Sequence, residues 1–428
     1  MAILAVNAGS SSLKFSLHPL HAGEVQASVL TGNIQGLEPD GTPEIGWKFA
    51  GERHCQALTL DPSRSAFVQA LEHLRTLLAG LQGAPTIIAV AHRVVHGGQE
   101  FRESVLVTDE VLERLSRLNS LAPLHQPHNL EGVRSFRQAF PDLPQVACFD
   151  TAFHATLPEV DYAFALPQSL AAQGVRRYGF HGLSYQFIMD ELLHHSQRAR
   201  GRVLMAHLGN GASLCGANNA QSCATTMGFS ALDGLMMGTR SGALDAGVPL
   251  YLMEQGWTHG QIEKLLYKQS GLLGVSGISA DMRRLRSDGS DDAQRAIDQF
   301  THRVVRETGA LVACMGGMDV LAFSGGIGEN DSVLRSQVCE RLGWLGVQID
   351  PVRNAQASAD LGAQPIHAAG SLIEVWVVPT DEGRVAAREA ARLIGQHISH
   401  NVHTIATASA QPAVTAAAAA TAATADAA

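Results

Sequence analysis

Three short glycine turns, each following an apolar run, are where this chain could do chemistry. The first is Asn7-Ala8-Gly9-Ser10-Ser11-Ser12-Leu13-Lys14, which follows Ile3-Leu4-Ala5-Val6. Gly9 lets backbone approach a ligand, the hydroxyls and amides can donate to phosphate oxygens, and Lys14 supplies a point charge. Taken alone, the stretch fits a Ser/Gly-rich hairpin with a surface lysine equally well. The second turn is Gly209-Asn210-Gly211-Ala212 and the third is Gly325-Gly326-Ile327-Gly328. Three such turns, with a lysine at the first, suggest a split nucleotide site whose phosphates are held by backbone amides from two sides. No Gly-x4-Gly-Lys-Ser/Thr occurs, and no Gly-x-Gly-x-x-Gly follows a strand, which argues against a P-loop enzyme and a dinucleotide fold.

The elements that must hold these turns read as an alternation of strands and helices. Residues 3–17 form a strand, a tight turn and a second strand, and 18–60 continue as strands punctuated by Gly36, Pro39, Gly41 and Pro43. A helix is predicted over 65–81, with Phe67, Leu71, Leu74, Leu77 and Leu78 on one face. A buried strand at 86–91 runs into His92-Arg93-Val94-Val95-His96-Gly97-Gly98. Thr108 caps a further helix, and Asn129 is expected to cap another after a Pro-rich loop. A strand at 146–149 ends in Asp150. The second half repeats this outline. Residues 202–214 are again strand, glycine turn, strand; 320–324 is a buried strand with a turn beyond it, followed by a helix over 332–342. A last strand at 373–378 leads into an Ala-rich helix expected to end near 396. This reads as an α/β chain with a faint internal duplication, two similar domains facing each other across a cleft.

Composition narrows the class. At 428 residues two domains are expected, divided as 1–150 and 151–381, with a helix at 382–397 returning to the first. A net charge of -9 argues against nucleic acid. The six cysteines show no Cys-x-x-Cys spacing and suit free thiols in a reducing compartment. With no leader segment and no membrane-spanning run evident, a cytoplasmic protein with no membrane partner is expected. The Ala/Thr-rich stretch 404–428 lacks large apolar residues and is expected to be a disordered tail.

The motifs together resemble those of the acetate kinases, in the superfamily of sugar kinases, actin and heat-shock chaperone ATPases. Asn7 to Lys14 matches the family's N-terminal signature and His92 to Gly98 its second. Further matches are Phe149-Asp150-Thr151-Ala152-Phe153-His154, Tyr178-Gly179-Phe180-His181-Gly182, His207-Leu208-Gly209-Asn210-Gly211, Gly238-Thr239-Arg240-Ser241-Gly242, Ser270-Gly271-Leu272-Leu273-Gly274 and the run from Gly325 to Asn330. The resemblance covers essentially 2–395. It implies two duplicated ribonuclease H-like, actin-like ATPase domains around a central cleft, and transfer of the ATP γ-phosphoryl group to acetate, giving acetyl phosphate and ADP. A homodimer is also implied.

By the same resemblance, Arg93 and Arg240 grip the carboxylate or the phosphoryl group in flight, bidentately as lysine cannot. His181 would hydrogen-bond the transferring phosphoryl, His125 would lie near the substrate, and Asp150 would orient groups at the cleft. Mg²⁺, with Mn²⁺ able to substitute, is implied on Asn7 and Glu382. Nucleotide contacts carry over to Ser10, Ser12, Lys14, His207, Leu208, Gly209, Asn210, Gly211, Asp281, Met282, Arg283, Gly326, Ile327, Gly328, Glu329 and Asn330. A chaperone-like or actin-like ATPase would not need Arg93, Arg240 and His181 together, and all three are present.

Two departures from the family pattern concern the substrate. The acyl pocket implied by the resemblance is Val95, Leu124, Phe180 and the position of Ala231, where the family usually has proline. After the second arginine the usual Asp-Leu-Asp-Pro reads Ala243-Leu244-Asp245-Ala246. A propionate or other short-chain carboxylate kinase is therefore the alternative reading.

Overall fold

In the computed structural model, which describes residues 1–9, 11–38, 41–122 and 125–409, with side chains as far as 396, the chain builds two sheets. The strands of the first half are β1 (Ala2–Ala8), β2 (Ser12–His21), β3 (Glu24–Val25), β4 (Leu30–Gln35), β5 (Glu44–Phe49), β6 (Glu52–Ala57), β7 (Ile87–Val94), β8 (Val105–Leu106) and β9 (Gln145–Phe149). Those of the second half are β10 (Arg202–Leu208), β11 (Ala212–Asn218), β12 (Gln221–Thr225), β13 (Val320–Ser324), β14 (Gln364–Pro365) and β15 (Glu374–Val377). β1 and β13 are continuous apolar runs, buried nearly end to end, as strands covered on both faces must be.

The duplication is written in the pairing. In the first sheet β4, β2 and β1 run antiparallel, and β7 and β9 follow parallel to β1. In the second sheet β12, β11 and β10 run antiparallel, and β13 and β15 follow parallel to β10. The hairpin turns correspond as well: the Gly9 N–H reaches Ser12 O at 2.8 Å, and the Gly209 N–H reaches Gly211 O at 3.0 Å. Parallel strands aligned this way bring their carboxyl ends to one edge, where an open α/β sheet receives its ligands.

Two helices lie between the sheets. The helix Gly182–His195 contributes Leu183, Tyr185, Ile188 and Leu192 to one core with Ile3 and Cys148 of the first sheet and Val203 and Ala322 of the second. The last helix, Glu382–Ser409, sets Val385, Ala386, Ala387 and Ala390 into that same core. Its alanines allow close approach to β1 and β7.

Most expected elements are present, among them a helix Ala66–Gly80 capped by Ser65 and a helix Asp109–Ser116 capped by Thr108. Three differ. Asn129 is not a cap, because the helix begins at Gln126 with Pro127 in its first turn. Its side chain turns inward, accepting from the Val95 N–H and donating to Ala8 O. The stretch Gly325–Asn330, expected as a turn, closes as a short helix whose carbonyls at 328 and 329 are held by the buried Arg335. The last helix runs past its expected end, since neither proline nor glycine stops it between 396 and 409. Residues 410–428 of the expected tail lie outside the described residues. All six cysteines are free, and no helix among the described residues is long and apolar enough to cross a membrane.

Candidate active site

The carboxyl ends of β1, β7, β10, β13 and β15, with the residue that follows β9, converge on one cleft of 760 Å³. Arg93 is the penultimate residue of β7, and Asp150 directly follows β9, its parallel neighbour. The Asp150 N–H bonds Val94 O at 3.1 Å, which fixes the two side chains abreast. Arg93 then donates from Nε to Asp150 Oδ1 at 2.9 Å and from Nη2 to Oδ2 at 2.5 Å. Glu382, at the start of the last helix, lies 3.5 Å from Arg93 Nε. Burial acts to strip the charge from Arg93, but the Asp150 and Glu382 carboxylates outweigh it and raise its pKa. Burial likewise pushes the Asp150 carboxyl up, opposed by Arg93. The result is a fixed guanidinium at the floor of the cleft.

His181 faces this pair from the head of the helix Gly182–His195. It adopts a left-handed conformation, φ 60°, that a residue with a Cβ takes at some cost. The constraint is visible: the Gly182 N–H bonds Asp150 O at 2.8 Å, and a Cβ on Gly182 would sit 2.2 Å from that oxygen. The backbone of Asp150 thus wedges the turn that aims His181. The His181 ring stacks on His207, with centroids 4.3 Å apart and planes 25° apart. Each ring rests its Nδ1 on a serine, Ser213 for His181 and Ser184 for His207.

Arg240 completes the constellation. Its Nη1 donates to Ala231 O at 2.6 Å, and among the described residues it has no carboxylate partner within salt-bridge distance. Burial lowers its pKa and Arg93 adds to the effect, so a largely buried cation waits for an anion. A Cβ on Gly211 would lie 3.0 Å from Arg240 Nη2 and 3.2 Å from His181 Nε2. The two side chains therefore converge on the bare backbone of Gly211. Val95, His125, Phe180 and Ala231 line the same cleft.

A second cavity of 1080 Å³ opens beside the first and shares Gly209, Asn210 and Gly326 with it. Met282, Arg283, Ile327 and Asn330 line it, together with Asp281, whose carboxylate caps the helix Met282–Asp288 and holds Arg283. Ser12, Lys14, Gly211 and Glu329 face the first cavity. The Glu329 carboxylate is turned onto the N–H groups of Gly325 and Thr380, at 2.9 and 3.1 Å. Leu208 is fully buried in the core and Gly328 lies on the buried side of its helix, so neither lines either of these two cavities. Ser10 and Leu124 lie outside the described residues. Sequence reading missed Asn129, Arg286 and Thr380, all of which line the cavities. Asn129 carried a signal, an asparagine too deep in its helix to cap once Pro127 is placed in the first turn.

The histidines here are held neutral. Burial brings His207 to about 4, helped by Arg93, and brings His125 to about 4, helped by Arg240 and Arg93. His181 lies well below the ordinary value through burial, His207 and the arginines. Burial also holds His92, His96 and His154 at about 4. Each has a folded value depressed below the unfolded 6.5. The unfolded chain therefore takes up more protons in acid, and stability present above pH 6.5 is lost as pH falls toward 4. The melting temperature is expected to drop by roughly 5 °C or more between pH 7 and pH 5; an unchanged value there would show that these rings are not held neutral.

Comparison with known proteins now decides the family. The family model described as the acetokinase family matches residues 2–388. The chain belongs to the acetokinase family. It is 47% identical to an acetate kinase of Rhodopseudomonas palustris over 395 residues, covering 91% of this chain and 98% of that one. It is 44% identical to an acetate kinase of Methylocella silvestris over 410 residues, covering 92% and 98%. Among solved structures it superposes on Porphyromonas gingivalis acetate kinase with a TM-score of 0.82 at 35% identity, covering 92% and 99%. It superposes on a propionate kinase of Francisella tularensis with 0.83 at 35%, covering 91% and 98%. The acetokinase fold, two actin-like ATPase halves, matches the repeated pairing of the two sheets, and membership carries kinase activity with ATP as substrate.

Proposed function

We infer that the chain transfers the γ-phosphoryl group of ATP to a carboxylate oxygen of acetate, reversibly. A P–O bond to the acyl oxygen forms as the bond to ADP breaks, and charge balances without a proton. The observation that carries this reading is the convergence of Arg240 Nη2 and His181 Nε2 at Gly211, between the Arg93–Asp150 pair and the glycine-lined cavity. Phosphoryl transfer asks for alignment and for positive charge on the oxygens in flight, which two arginines and a neutral N–H donor can supply. Arg93 and Arg240 hold the acetate carboxylate and the phosphoryl group, and Asp150 keeps Arg93 in its plane. Lys14, Asn210, Gly211, Gly326 and their neighbours hold the nucleotide. The direct test is incubation with ATP, Mg²⁺, acetate and hydroxylamine, which traps acetyl phosphate as the hydroxamate. No hydroxamate above a no-ATP control would end the reading.

Asn7 and Glu382 both line the cleft and offer oxygen ligands, the donor chemistry that Mg²⁺ or Mn²⁺ accepts when phosphate oxygens complete its shell. The bound metal would offset phosphate charge, and Arg93 approaches the Glu382 carboxylate at 3.5 Å. The partition into domains 1–150 and 151–381, with helix 382–397 on the first, accounts for a cleft fed by both sheets. A cytoplasmic location fits the free thiols. A homodimer is supported by the helix Gly247–Glu254, which buries none of its residues and leaves Leu250 61% and Tyr251 58% exposed. Leu250→Asp should convert a dimer to monomer in light scattering; a monomeric parent chain would end that part of the reading.

Ala231 favours propionate as a second substrate. Its carbonyl is held by Arg240, and among the described residues its N–H makes no hydrogen bond, so a proline there would lose none. The loop is also pinned from outside, because Arg177 Nη1 donates to the carbonyls of Thr225, Thr226 and Met227. The space left by the missing ring should therefore stay open beside Val95 and Phe180. Discrimination by one methylene is worth about 1–3 kcal/mol in a closed pocket. Propionate should be used within about tenfold of acetate in kcat/KM, and Ala231→Pro should sharpen the preference for acetate without moving ATP KM. Rejection of propionate by about a hundredfold in the parent would mean that the pocket is closed without proline.

A further inference from the structure

His181 has two ring nitrogens, and only one has a partner. Nδ1 lies 2.9 Å from Ser213 Oγ, while Nε2 makes no hydrogen bond among the described residues and faces the cleft beside Gly211. Ser213 Oγ lies in turn 2.5 Å from the phenolic oxygen of Tyr185. Ser213 is the second residue of β11, Tyr185 stands one turn along the helix that His181 heads, and both are fully buried. Neither hydroxyl has another hydrogen-bond partner among the described residues.

The hydrogens can be counted. If the Tyr185 O–H donates to Ser213 Oγ and the Ser213 O–H donates to Nδ1, both hydroxyl hydrogens are used and the ring proton sits on Nε2. If instead Nδ1–H donates to Ser213 Oγ, only one of the two hydroxyl hydrogens, that of Ser213 or that of Tyr185, can find an acceptor. The other hydrogen is then stranded in the core, with no acceptor among the described residues. A stranded buried donor lowers a state's population by roughly ten- to a hundredfold. Turned over about Cβ–Cγ, the ring would set Cδ2 against Ser213 Oγ and lose that hydrogen bond.

We propose that Ser213, backed by Tyr185, is a positioning residue that fixes His181 as its Nε2–H tautomer, so that a neutral donor faces the transferring phosphoryl group. The opposite tautomer would present a lone pair to phosphoryl oxygens and repel them. The proposal rests on the reaction given above, but the tautomer can be read without turnover.

The first measurement is ¹⁵N NMR of the histidine-labelled parent protein at pH 7.5. The expected signals for His181 are those of a neutral ring protonated at Nε2, and the same tautomer is expected in Tyr185→Phe, where the Ser213 O–H still has only Nδ1 to donate to. An Nδ1–H ring in the parent overturns the proposal, as does an Nδ1–H ring in Tyr185→Phe. The second measurement is kinetic. Ser213→Ala should lower kcat about tenfold, the worth of one orienting hydrogen bond, with both KM values within about twofold. In a His181→Ala background the same change should cost nothing further, because the group it acts through is gone. A penalty of equal size in both backgrounds would mark Ser213 as merely structural and overturn the assignment. Should the parent form no acyl phosphate, the reaction is wrong and the NMR result still decides the tautomer.

Discussion

Arg240→Ala is expected to lower kcat by about 10²–10³-fold, roughly 3–4 kcal/mol of transition-state stabilisation, the scale for one preorganised charge donor. The reasoning starts from what Arg240 lacks. It is largely buried, its own charge is disfavoured there, and a single carbonyl is the partner that holds it. Among the described residues no carboxylate pairs with it, so its field falls on whatever anion sits at Gly211. Charge on the phosphoryl oxygens is in motion during transfer, so the loss should fall mainly on kcat, with a smaller rise in acetate KM. The folded state should gain from removing an uncompensated buried cation, and the melting temperature should hold or rise. Activity within fivefold of the parent would remove Arg240 from the reaction. A fall in activity matched by a fall in melting temperature would make it a structural residue of the Ala231 loop. Lysine is not an adequate replacement, because one ammonium cannot keep the Ala231 carbonyl and still reach Gly211.

What could be read from the sequence, and what could not, follows from the range of the forces involved. The glycine turns and their strands are local: apolar runs, a turn residue and a change of period were enough to place the Gly9 and Gly209 hairpins, and both are present. Their repetition was faint in the residues but is plain in the order of the strands, because pairing is a long-range property that single residues do not record. The resemblance to the acetate kinases points to candidate site residues that spacing alone does not. Arg93 and Asp150 are far apart in the chain and meet only because β7 and β9 are parallel neighbours. Asn129 was misread as a cap because the propensity for caps is local, whereas its actual partners, Ala8 and Val95, lie on other elements. Ser213 and Tyr185 carried no signal at all: each looks like an ordinary buried polar residue until β11 and the helix Gly182–His195 bring them together.

Asp150→Asn should reduce kcat/KM for acetate by about 10²-fold or more, through two linked losses. The amide preserves the backbone bond to Gly182, so the turn that aims His181 should survive. It removes the charge that holds Arg93 by both Nε and Nη2. Arg93 is then left with Glu382, 3.5 Å away, as its nearest carboxylate, and the guanidinium should swing toward it. That motion takes Arg93 out of the plane in which it meets substrate and ties up a carboxylate proposed for the metal. Acetate KM and the apparent magnesium requirement should therefore rise together, a combination that loss of either residue's function alone would not produce. Breaking one side of a buried pair typically costs about 3–5 kcal/mol of stability; part of that is recovered here because Glu382 can take over. The decisive comparison is the double variant. If Asp150 works by holding Arg93, Asp150→Asn in an Arg93→Ala background should add less than about threefold to the loss, far from the product of the two single effects. Independent, multiplying losses would mean that Asp150 acts on the substrate or metal directly, and that the bidentate pair with Arg93 is incidental to its role.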